Sequence, residues 1–131
     1  MSVVLGYVPT PEGEAALDHA IEEAEARRTS LVVVNTSRGD AHVDPRFAEA
    51  DAVDRVRARL ARAGIGHHVV QNVRGREAAE EVLEAASEHR ADLVVIGLRR
   101  RSPVGKLILG STAQRILLEA PCPVLAVKAA G

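Results

Sequence analysis

The chain has 131 residues, 47% of them apolar and 2% aromatic, with a formal net charge of −1 and one cysteine. That length fits one domain with a single core, here taken as residues 1–131, and the apolar content excludes intrinsic disorder. Near-neutral charge gives no overall attraction to nucleic acid or membrane, scarce aromatics remove any base-stacking platform, and a lone cysteine excludes an internal disulfide.

Ser2-Val3-Val4-Leu5-Gly6-Tyr7 reads as a first strand, apolar on both faces. Pro9, Thr10 and Pro11 break it. Thr10 suits a helix N-cap and Pro11 a first helical turn, with Gly13 a mild imperfection inside the helix that follows. From Glu12 to Arg28, Ala16, Leu17, Ala20, Ile21 and Ala24 recur at helical spacing. Leu31 to Val34 is a second buried strand, and 36–44 a polar loop. Pro45 to Ala63 reads as a second helix with Val53, Val56 and Leu60 on its apolar stripe and Gly64 at its end. Its charges, Asp51, Asp54, Arg55, Arg57, Arg59 and Arg62, read as a solvated face. Ile65 to Val73 is a third strand whose polar alternation around His67, His68 and Gln71 suggests a sheet edge, and Gly75 marks a turn. Glu77 to His89 is a third helix, Leu93 to Ile96 a fourth strand, Ala113 to Leu118 part of a fourth helix, and Val124 to Val127 a fifth strand. Strands alternating with helices predict a parallel α/β sheet covered on both faces.

The most informative stretch runs from Gly97 to Thr112. A glycine ends the fourth strand, a loop with Arg99, Arg100, Arg101 and Lys106 follows, and Gly110-Ser111-Thr112 opens a helix. Unpaired N–H groups at a helix start favour anions, glycine permits close backbone approach, and the two hydroxyls add donors. The combination reads as a phosphate-sized anion site.

The same stretch resembles the C-terminal signature of the universal stress protein family: glycine, two residues, glycine, nine residues, glycine, then serine or threonine. Gly97, Gly110 and Ser111 match in place, whereas Arg100 stands where the middle glycine belongs. The closing segment Ala120-Pro121-Cys122-Pro123-Val124-Leu125-Ala126-Val127 is similar to the family's last strand, and the order of elements agrees over essentially the whole chain. The resemblance implies a single doubly wound, Rossmann-like five-stranded parallel sheet in the order 3-2-1-4-5, with helices on both faces. Ligands of such sheets bind beyond the carboxyl ends of the strands where the order reverses, here between the first and fourth strands. Tyr7 to Thr10 and Gly97 to Ser111 would then face one crevice.

In the family the signature residues surround the phosphates of ATP. Carried over by position, this implies Gly97, Gly110, Ser111 and Thr112 as phosphate-binding residues. Gly105 and Lys106 are further candidates. Arg100 either holds phosphate through its guanidinium or blocks the pocket that a glycine would leave open. Tyr7, Val8, Thr36 and Ile96 are candidates for the nucleoside side, and Asn35 and Thr36 fall where the family lines its adenine pocket. ATP-binding members usually carry an aspartate at the exit of the first strand. Val8 stands there, which weakens the case for ATP against another phosphorylated ligand. Magnesium is expected only alongside ATP.

Nothing nominates a catalytic residue. His19, His42, His67, His68 and His89 are scattered over different elements without metal-ligand spacing, no nucleophile–base set is placed at the strand exits, and Gly105-Lys106 lacks the context of a P-loop. Cys122, between two prolines, reads as an inert packed thiol. With no signal-peptide pattern and no apolar run near the ~20 residues that span a bilayer, a cytoplasmic protein is expected. In the implied strand order the last strand is an apolar edge. Antiparallel pairing of Val124 to Val127 with a twofold mate would cover it, so a homodimer is expected. The leading reading is a cytoplasmic stress-response protein that binds an adenine nucleotide for regulation, with at most slow hydrolysis. The alternative is a dimeric interaction protein whose basic loop meets another anion or an acidic partner. Nucleic acid has only the arginine run in its favour.

Overall fold

The computed structural model describes residues 1–36, 45–71, 76–98 and 109–129, with the side chains of 45–51 and 71 left aside. Five strands alternate with four helices: β1 Ser2–Tyr7, α1 Pro11–Arg27, β2 Ser30–Asn35, α2 Pro45–Ala63, β3 His67–Gln71, α3 Ala78–Glu88, β4 Ala91–Leu98, α4 Ser111–Glu119 and β5 Val124–Lys128. All neighbouring strands are parallel and the order is β3-β2-β1-β4-β5, the doubly wound α/β sheet expected. β3, with its polar His67 and His68, is one edge, and β5 is the other.

Side chains of a strand alternate between faces, and each face has its own core. Val3, Leu5 and Tyr7 of β1 join Leu31 and Val33 of β2 and pack on Ala16, Leu17, Ala20 and Ile21 of α1 and Val56 and Leu60 of α2. Val4, Val32, Val34, Val94 and Ile96 point the other way, onto Ala79, Val82 and Ala86 of α3 and Ile116 of α4. The central strands are apolar on both sides because both sides are covered. Each buried Val, Leu or Ile contributes about 1.5–3 kcal/mol relative to exposure.

The strands run further than their apolar cores. β4 extends from Ala91 to Leu98, so Gly97 lies inside the strand, opposite Val127, rather than after its end. A ladder is made of backbone hydrogen bonds, so it passes through Gly97 and reaches Leu98, whose side chain is buried again. β3 starts at His67, two residues later than expected, because Ile65 still belongs to the end of α2: its N–H donates to the Leu60 carbonyl. The expected end of that strand at Val73, and the turn at Gly75, lie outside the described residues. α1 stops at Arg27 because Arg28 adopts a left-handed conformation (φ 53°), and the Thr29 N–H then reaches the Ala24 carbonyl at 3.0 Å. Among the described residues no helix is long and apolar enough to cross a membrane.

Candidate functional site at the carboxyl ends of β1 and β4

The strand order reverses between β1 and β4. The β1 exit is held by short-range bonds. The Thr10 N–H donates to the Val8 carbonyl at 2.9 Å, and the Thr10 hydroxyl oxygen accepts from the Gly13 N–H at 3.1 Å. Thr10 is thus the N-cap of α1, with Pro11 in its first turn as the sequence suggests. The Tyr7 carbonyl accepts from both the N–H and the hydroxyl of Thr36, at 2.9 and 3.1 Å, which ties the β2 exit to the β1 exit. Asn35, just before it, is buried and lies in register with Tyr7.

Two glycines lock the first turn of α1 between the two strand exits. A Cβ on Gly13 would lie 1.7 Å from the Val8 carbonyl oxygen, so glycine at this helical position is a packing requirement and not an imperfection. A Cβ on Gly97 would lie 2.6 Å from the Glu12 carbonyl oxygen and 3.2 Å from the Gly13 nitrogen. The missing side chain of Gly97 therefore admits the α1 backbone. Gly110 differs, since a Cβ there would meet nothing within 4 Å among the described residues.

Gly110 is the N-cap of α4, with extended backbone and no side chain to cap the helix, and Ser111 and Thr112 form its exposed first turn. First-turn N–H groups have no acceptor within the helix and carry the positive end of its dipole. α4 is moored to α3 by Arg115, whose guanidinium lies 2.9 Å from Glu77 and 3.5 Å from Glu80, and it also bonds Glu119 at 2.9 Å.

Of the nucleoside-side candidates, Tyr7, Val8 and Thr36 meet at one rim through their backbone, but the Tyr7 and Ile96 side chains turn to opposite faces. The Tyr7 side chain is buried on the α1/α2 face and its hydroxyl donates to Glu14 Oε1 at 2.5 Å, whereas Ile96 packs into the core of the opposite face. Burial and the bond to Glu14 push the Tyr7 phenol well above its ordinary range. Val8 is half-buried and Thr36 is committed to the Tyr7 carbonyl. Arg99, Arg100, Arg101, Gly105 and Lys106 lie outside the described residues. The sequence reading missed the α1 first turn, Glu12 and Gly13, as a structural part of this rim. The signal was there: a lone glycine inside a helical pattern, two residues after the proline that opens it. Among the described residues no group of three or more His, Cys, Asp or Glu is placed to hold a metal ion.

A doubly wound parallel sheet with a helix N-terminus at its switch point is the architecture of a ligand-binding α/β domain. The universal stress protein family model matches residues 1–128. A universal stress protein of Mycolicibacterium smegmatis is 52% identical over 129 residues, covering 98% of each chain. A solved universal stress protein of Archaeoglobus fulgidus superposes with a TM-score of 0.78 at 32% identity over 97% of both chains. A universal stress protein from Archaeoglobus fulgidus in complex with dAMP superposes at 0.72 with 27% identity, covering 97% of this chain and 96% of that one. A universal stress protein in complex with cAMP superposes at 0.66 with 26% identity, covering 99% and 98%. The chain belongs to the universal stress protein family.

Proposed function

We propose that this chain is a stress-response protein that binds an adenine nucleotide at the carboxyl edge between β1 and β4, as a regulatory ligand and not as a substrate for rapid turnover. The observation that carries the reading is the exposed start of α4 at Gly110-Ser111-Thr112, with a glycine as its cap, on a chain whose relatives include complexes with dAMP and cAMP. Phosphate would sit on the first-turn N–H groups and the two hydroxyls, with Arg100, Gly105 and Lys106 as further contacts and Gly97 fixing the floor. Thr36 and Val8 would border the nucleoside. Magnesium would accompany ATP and no other ligand. The working unit is one domain, residues 1–131, acting in the cytoplasm. It would pair with a second copy through the edge strand β5, whose Val124, Leu125 and Ala126 are only partly buried.

Calorimetry with dAMP, cAMP, AMP and ATP tests the nucleotide reading. Gly110→Asp puts a carboxylate where the anion belongs and should abolish binding with the circular dichroism spectrum unchanged. Absence of binding by all four ligands to the unmodified protein refutes it. If Arg100 holds phosphate, Arg100→Ala should weaken binding by roughly 10- to 150-fold, the worth of a charge-assisted hydrogen bond. If it blocks the pocket, Arg100→Gly should strengthen ATP binding.

A second reading, a dimeric interaction protein that takes another anion or an acidic partner, is favoured by the β1 exit. Val8 supplies no carboxylate there, and its carbonyl is turned onto Gly13 and Thr10. If Val8→Asp together with Arg100→Gly binds ATP and the unmodified chain does not, this second reading holds.

A further inference from the structure

Arg55 and Arg62 of α2 are exposed, as a solvated face requires, whereas Arg59 is half-buried. Arg55, Arg59 and Arg62 fall at i, i+4 and i+7, on one side of the helix, and that side looks toward α1. They line one wall of a cleft of about 250 Å³ whose other wall is Tyr7, Glu14 and Leu17. Arg59 is paired with Asp18 of α1. Glu14 accepts the Tyr7 hydroxyl at 2.5 Å. Arg55 and Arg62 have no ion-pair partner among the described residues, so the wall carries two guanidiniums that no described carboxylate neutralises. Forked, always charged guanidiniums suit bidentate contact with phosphate or carboxylate oxygens.

We propose that the cleft between α1 and α2 is a second binding site, distinct from the α4 start, for a small multivalent anion bearing phosphate or carboxylate groups. Arg55 and Arg62 grip the anion from either side of the Arg59–Asp18 pair, and Leu17 offers an apolar wall to a short carbon body. The cleft lies on the face of the sheet covered by α1 and α2, whereas Ile116 of α4 packs on the opposite face.

The chain supplies its own probe. Tyr7 is the only tyrosine, and there is no tryptophan. Its side chain lines the cleft, so its fluorescence reports binding there. Titrating the whole protein with inorganic pyrophosphate and, separately, with citrate should give a saturable fluorescence change matched by calorimetric heat. A response to pyrophosphate alone assigns a phosphate-bearing ligand, and to citrate alone a carboxylate-bearing one. The double variant Arg55→Gln with Arg62→Gln should bind at least about tenfold more weakly, with its folding checked by circular dichroism. Arg57→Gln, exposed on α2 but outside the cleft, should bind as the unmodified protein does. No saturable change with either probe, unchanged affinity in the double variant, or an equal loss of binding in Arg57→Gln would overturn the proposal.

Discussion

Replacing Gly97 with alanine should destabilise the protein, although the same change at an unstrained strand position normally helps. A strand glycine costs backbone entropy, and alanine in its place is worth about 0.4–1 kcal/mol through the unfolded state. At Gly97 the new Cβ would lie 2.6 Å from the Glu12 carbonyl oxygen and 2.8 Å from its carbon. Both are backbone atoms in the first turn of α1, so no side chain can rotate aside. To restore ordinary contact the turn must retreat by roughly half an ångström or more, a shift of the kind that costs about 1–3 kcal/mol when a packed core is overfilled. The retreat also strains the Thr10 cap on the Gly13 N–H, which is anchored in the same turn. Net destabilisation should be about 1–2 kcal/mol, readable in urea as a lower midpoint with unchanged slope. In a thermal melt it should lower the midpoint by roughly 3–10 °C. Gly97→Ala as stable as the unmodified protein, yet unable to bind nucleotide, would refute this reasoning and return Gly97 to a role in ligand approach.

Three further outcomes follow from the same structure. Thr10→Ala removes the acceptor for the Gly13 N–H and should cost about 1 kcal/mol in urea unfolding; no loss would mean that solvent replaces the cap. The Tyr7 phenol is raised above its unfolded value of 10.0 by burial and the bond to Glu14, so its contribution to stability is complete below that pH and fades as pH climbs beyond it. The ultraviolet phenolate signal should therefore appear only as the protein unfolds, and a tyrosine titrating near 10 in the folded state would contradict this. The Cys122 thiol is pushed up by burial and by nearby Asp92, so at mildly alkaline pH it should react with a disulfide reagent more slowly than free cysteine and accelerate on denaturation; equal rates would show an accessible thiol.

The alternation of short apolar runs with helical stripes determined the fold class, because a strand apolar on both faces can be satisfied only by helices on both sides. Thr10-Pro11 announced the start of α1, since capping and a fixed φ are local chemistry. The spacing of Gly97, Gly110 and Ser111 likewise marks the β4-to-α4 connection. What the glycines are for was not legible. Gly13 looks like a defect and Gly97 like a loop residue until the β1 turn, the α1 first turn and β4 are brought within contact distance. Arg55 and Arg62 of α2 are exposed as the sequence suggests, but helical periodicity gives the side they occupy and not what stands opposite. Only packing α2 beside α1 sets Arg55, Arg59 and Arg62 across from Tyr7 and Glu14. Caps and periodicities arise within a few residues of chain and are written there. Close approaches and clefts arise between segments far apart in sequence, and the tertiary structure alone decides them.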